Sequence, residues 1–145
     1  MSIFLKQLQT KRTKQKNKML QLIGRAVLAF LFTTAGVGHF QTFDKFMSLM
    51  EGLPLKPLHS AAVYISGLLE IILGLSIIIN PSAFVFKSLI VLVLLMTPAN
   101  INMWYRNLEF NGKRMGSRGH LLRGFAQLVL LFGLYKLMEV EEASN

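Results

Sequence analysis

The sequence predicts an all-α fold, an integral membrane bundle of four helices with antiparallel neighbours, on three observations. Hydrophobic residues make up 52% of the 145-residue chain and charged residues only 16%, with a mean hydropathy of +0.46, which is more apolar than a water-soluble domain of this size. Four apolar stretches each reach the length of about 20 residues that a helix needs to cross a hydrocarbon core of about 30 Å. The charges gather at the ends of those stretches and leave their middles nearly bare, the pattern of spans with basic flanks.

The spans fall at about 19–38, 61–79, 83–103 and 121–138. Each is a helix, because backbone in lipid must satisfy its own hydrogen bonds and a stretch this long exceeds a barrel strand. Ahead of them lies a leader, 1–18, in which Ile3, Phe4, Leu5 and Leu8 precede Lys11, Arg12, Lys14, Lys16 and Lys18. It reads as a basic amphipathic or disordered segment drawn to anionic lipid. A cleaved signal peptide fits poorly, since the charged and apolar regions are both overlong and Ala35-Gly36-Val37 is a weak cleavage site.

The connections differ in kind. Residues 41–60 hold Gly52, Pro54 and Pro57 and intersperse Phe43, Phe46 and Leu49 with Asp44, Lys45 and Glu51, as an interfacial segment does. Asn80, Pro81 and Ser82 form a tight turn, with Ser82 able to cap the third helix, so the second and third spans are antiparallel neighbours. Residues 104–119 are polar and basic, and Trp104 with Tyr105 marks the headgroup level. An acidic tail, 139–145, closes the chain.

Charge sets the orientation. With the N-terminus in the cytoplasm, four spans return the C-terminus to the same side. That side then carries the leader's six Lys and Arg plus Lys136, against Lys45, Lys56, Arg106, Lys113, Arg114 and Arg118 opposite, a small bias toward positive-inside. Arg25 and Lys87 lie within about two turns of the cytoplasmic ends, where long side chains reach headgroups.

Several functions are excluded. The formal charge of +9 comes without a groove-reading motif or a series of base-stacking aromatics, so nucleic acid is not a partner. The absence of Cys excludes disulfides, dithiol redox chemistry, thiolate-bound clusters and a thiol nucleophile on this chain. There is no phosphate-binding Gly-rich loop, no Gly-x-Ser-x-Gly and no carboxylate pair inside a span. Three histidines in separate segments make no metal site. The chain is therefore not expected to be an enzyme on its own.

Polar groups at lipid depth point to a site. A charge at the centre of a span costs about 2.5 to 3.5 kcal/mol on insertion scales. Glu70, about nine residues into the second span, is too short to reach water and must face protein or a cavity. Ser66, Gly67, Glu70 and Gly74 share one stripe that lets another helix approach. His39 ends the first span, Asn100 comes late in the third, and Arg123 and Gln127 share a face early in the fourth. In an antiparallel bundle all five converge in one half of the bilayer, so His39, Glu70, Asn100, Arg123 and Gln127 are the candidate pocket, with Glu70 expected to pair with Arg123 directly or through Gln127. Pro98 frees the carbonyl of Leu94 and is expected to kink the third span beside Asn100.

Four motifs, Ala35-Gly36-x-x-His39-Phe40, Tyr64-Ile65-Ser66-Gly67-Leu68-Leu69-Glu70-Ile71, Pro98-Ala99-Asn100-Ile101 and Arg123-x-x-x-Gln127, resemble the DoxX-like family of small four-helix membrane proteins over about residues 19–138. The resemblance implies a multi-pass protein of the bacterial plasma membrane, with relatives linked to thiosulfate:quinone oxidoreduction or thiol stress defence. It suggests a non-catalytic or quinone-associated subunit of a membrane redox system, with a quinone as the one cofactor in view. The lipid bilayer, redox partner proteins and a second copy of the chain are the expected partners. A solute transporter using the same pocket, and a structural partner without activity, are the alternatives.

Overall fold

A computed structural model describes residues 2–110 and 112–144; the outermost residues of the leader and tail, Met1 and Asn145, lie outside it. The order is α1 (Ser2–Gln41), α2 (Phe43–Leu49), a 3-10 turn (Lys56–Leu58), α3 (His59–Ile79), α4 (Ala83–Arg106), a two-stranded hairpin of β1 (Glu109–Phe110) and β2 (Lys113–Arg114), and α5 (Ser117–Glu142). Four of the helices are long and apolar enough to cross a membrane. The fold is the expected all-α membrane bundle.

Each helix outruns its apolar stretch. The leader and the first span form one helix of 40 residues, about 60 Å long and twice the hydrocarbon thickness. No helix boundary falls near residue 18, because residues 2–20 contain neither Gly nor Pro and are rich in Lys, Gln and Leu, all good helix formers. The acidic tail likewise continues α5 as far as Glu142. Between α3 and α4 the turn is as expected, with the Ser82 hydroxyl accepting from the Val85 amide at 3.3 Å, an N-cap that satisfies one otherwise unpaired donor. α4 runs through Pro98 without a break in its helix.

Up-down-up-down packing brings the beginning of α4 and the end of α5 together beside α1. There Arg25 pairs with Glu141, and Lys87 Nζ lies 2.6 Å from Glu142 Oε1. Arg25 was expected to reach headgroups; it stays inside because α5, longer than its apolar stretch, carries a carboxylate to it. Phe32, Ile77, Phe86, Leu89, Val93 and Leu134 fill this half of the bundle. In lipid such packing acts through van der Waals contact and not through water exclusion.

The tightest contact is between α1 and α3. A Cβ on Gly36 would stand 2.5 Å from the Gly67 carbonyl oxygen, and one on Gly67 would stand 2.6 Å from His39 Cβ. Glycine at both positions lets the two backbones approach directly, as the small-residue stripe predicts. That approach fixes the relative position of His39 and Glu70.

Candidate functional site

In the half of the bundle away from the α3–α4 turn, the helices enclose a cleft of about 780 Å³. Its walls include Ala35 and His39 of α1, Ser66 and Glu70 of α3, Met96, Pro98 and Asn100 of α4, and Arg123 of α5. Phe46, Leu49, Met50 and Leu53, from α2 and the segment after it, form a roof. The volume suits a small organic molecule, and the mostly apolar lining with a few polar groups is the usual make-up of such a site.

His39 and Glu70 form the polar end of the cleft, and each is only 4% exposed. His39 Nδ1 is 3.1 Å from the Val63 carbonyl oxygen. A carbonyl only accepts, so Nδ1 carries the proton and donates it. The Ser66 hydroxyl donates to the same carbonyl and lies 3.1 Å from Nδ1. The Phe46 ring packs on the imidazole with centroids 3.8 Å apart. These contacts leave Nε2 facing Glu70 Oε2 at 3.5 Å, beyond the range of about 2.7 to 3.2 Å of a hydrogen bond. Glu70 Oε2 accordingly has no hydrogen-bond partner. A carboxyl and an imidazole that stand this close without closing on each other can present a donor and an acceptor side by side to a third group.

Asn100, Arg123 and Gln127 form a chain of bonds between α4 and α5. Arg123 donates to Asn100 Oδ1 at 2.6 Å and to Met103 Sδ at 2.8 Å. The Asn100 amide donates to Gln127 Oε1 at 3.0 Å, and the Gln127 amide donates to Thr97 Oγ1 at 2.7 Å. The expected pairing of Glu70 with Arg123 is not formed among the described residues. α3 packs mainly on α1 and α5 mainly on α4, so Asn100, one helix nearer, takes the guanidinium. Gln127 does not line the cleft; it borders a second groove of about 490 Å³ with Trp104, His120 and Phe125, which Asn100 and Arg123 share from their other side.

Sequence reasoning missed Phe46 as the cover of His39 and Ser66 as its neighbour, although both lay in segments it singled out. It also missed Thr97, whose hydroxyl had no signal beyond being polar within a span. Among the described residues no three His, Cys, Asp or Glu side chains gather as metal ligands.

The sequence model of the family described as methylamine utilisation protein MauE matches residues 17–137. The chain belongs to the MauE family. This corrects the resemblance to the DoxX-like family. Gly36, Gly67 and Glu70, which carried much of that resemblance, are contact residues of the α1–α3 crossing, and Asn100, Arg123 and Gln127 bond α4 to α5. Such residues report how four membrane helices pack and do not single out one family. The MauE match takes in the second and third spans whole, most of the first and fourth, and every residue named in the cleft. No curated protein and no solved structure matches the chain. It is a multi-pass membrane protein of the MauE family.

Proposed function

We propose that this MauE-family chain is a non-catalytic membrane accessory of a methylamine-utilising redox system, set in a bacterial plasma membrane with its N- and C-termini in the cytoplasm. Its cleft receives the polar head of a quinone. One observation carries this reading: the buried His39–Glu70 pair, with Glu70 Oε2 lacking a hydrogen-bond partner, at one end of a mostly apolar cleft. A buried polar group without a partner costs about 1 to 3 kcal/mol, and a ligand hydroxyl donating to that oxygen, or a ligand carbonyl accepting from the protonated carboxyl, would remove that cost. The pair can donate to a quinone carbonyl or take the proton of a quinol hydroxyl. This chain carries no thiol for dithiol chemistry, and as an accessory it would leave electron transfer to a partner redox protein. The satisfied chain of Asn100, Arg123 and Gln127 favours a second role for those three residues, a lock between α4 and α5 that shapes the cleft wall.

The test is solvent extraction of gently purified protein, followed by mass spectrometry and a borohydride difference spectrum, alongside a Glu70→Gln variant and a strain lacking the gene grown on methylamine. Near-stoichiometric quinone in the native chain, less in Glu70→Gln, and loss of growth on methylamine are expected. Bulk lipid alone in both proteins refutes the quinone assignment, and unchanged growth refutes the accessory role.

A further inference from the structure

We infer that the cleft is filled from the bilayer and not from water: its occupant is a membrane-dissolved amphiphile entering sideways between α3 and α4, with the aqueous side held shut by a latch at Asn102. The inference rests on the reading that the cleft binds a ligand, and it names the route and the chemical class that the route admits.

The lipid side is open. Ile65 and Leu69 of α3 and Leu95 of α4 line the cleft while remaining 57%, 38% and 72% exposed. Leu95 lies about 18 Å along an α4 of about 36 Å, at mid-membrane, so the medium at this opening is acyl chain. An opening with three aliphatic lips admits a hydrocarbon tail at no electrostatic cost and repels a hydrated solute, which would shed its water there. The polar groups stand behind the lips, on α1, on the inner faces of α3 and α4, and on α5. An amphiphile entering head first would bring its head to His39 and Glu70 and leave its tail in the opening.

The water side is closed. The roof presents only apolar side chains to the cleft, and it is tied down from α4. Asn102 Nδ2 donates to the Leu49 carbonyl at 2.8 Å and to the Glu51 carbonyl at 2.9 Å, and Arg106 adds a bond to the same Glu51 carbonyl at 3.3 Å. Gly52 turns the chain back at φ +81° directly against the Arg106 guanidinium, where a side chain would be strained and would clash. An aqueous solute would have to break these bonds and lift the roof; a lipid-borne one displaces only acyl chain.

Trp104 is the one tryptophan of the chain, so a Trp104→Phe background is optically silent and Met96→Trp places a reporter inside the cleft. In reconstituted vesicles, phosphatidylcholine brominated at mid-chain should quench this reporter, and acrylamide, which stays in water, should not. Adding Asn102→Ala should raise the acrylamide quenching constant severalfold and leave bromolipid quenching unchanged. Strong acrylamide quenching with the latch intact would overturn the route, and so would no quenching by either agent, the result if a second protein covers the opening. Should Met96→Trp fail to fold, Leu92→Trp, which lines the cleft at a position only 6% exposed, gives the same readout. Because quenching needs no bound ligand, a sideways opening in a chain that retains no quinone would refute the quinone assignment and leave the route standing.

Discussion

Replacing Gly36 with Ala is a small change at the point where the bundle has the least room. The new Cβ would stand 2.5 Å from the Gly67 carbonyl oxygen, 2.8 Å from Ile71 Cγ1 and 3.0 Å from Glu70 Cβ. Carbon-to-carbonyl contacts settle at about 3.3 Å, so α1 and α3 would have to separate by about 0.8 Å. The principal obstacle is backbone, which no rotamer change relieves. Overpacking of this kind costs about 1 to 3 kcal/mol, here at the upper end, offset by about 1 kcal/mol from the better helix propensity of Ala. The net expectation is a loss of about 2 kcal/mol. Gly133→Ala is the control, because nothing lies within 4 Å of its added Cβ; it should be neutral or about 1 kcal/mol more stable. Reversible unfolding in mixed micelles with rising dodecyl sulfate, followed by far-ultraviolet circular dichroism, measures both. Equal stability of Gly36→Ala and Gly133→Ala would refute the close α1–α3 approach on which the placement of His39 beside Glu70 depends.

Other substitutions test other parts of the bundle in the same assay. Asn100→Ala removes two interhelical bonds at once and should cost about 1 to 3 kcal/mol, given about 0.6 to 1.7 kcal/mol for each such bond in a membrane; Gln127→Ala should fall in the same range, since it also cuts two links of the chain. Arg25→Ala removes the cation that faces the buried Glu141 and should cost about 3 kcal/mol, the lower end of the range for a buried pair because both side chains keep some exposure, with much of the loss recovered in an Arg25→Glu/Glu141→Arg exchange. Lys87→Ala, at an exposed pair, should cost less than about 1 kcal/mol. Ser82→Ala removes the cap of α4 and should cost about 1 kcal/mol.

The spans were legible because hydropathy reports what faces lipid, and α3, expected over 61–79, forms over His59–Ile79. Helix ends were less legible, since a helix satisfies its own backbone beyond the lipid as well as within it: α1 extends back to Ser2 and α5 on to Glu142. That extension hid the Arg25–Glu141 pair, whose acid lay in a segment read as a tail. In the site, depth alone brought His39, Glu70, Asn100 and Arg123 to one cleft. Depth does not say which helix stands between two others, and for that reason Arg123 bonds Asn100 instead of Glu70, and Gln127 turns to the opposite groove. The family was misread from motifs made largely of packing residues, whose spacing is dictated by helix crossings.

The central claim is that His39 and Glu70 receive the polar head of a lipid-soluble ligand, and ligand-linked stability tests it most directly. Unfolding of the purified chain would be followed across a titration of a short-tailed quinone. The expected result is stabilisation that grows with ligand, reaching about 2.7 kcal/mol at a hundred times the dissociation constant, and that is absent from Glu70→Gln and His39→Phe proteins that still fold. A native chain whose stability ignores the quinone, or variants that gain as much as the native chain does, would contradict it.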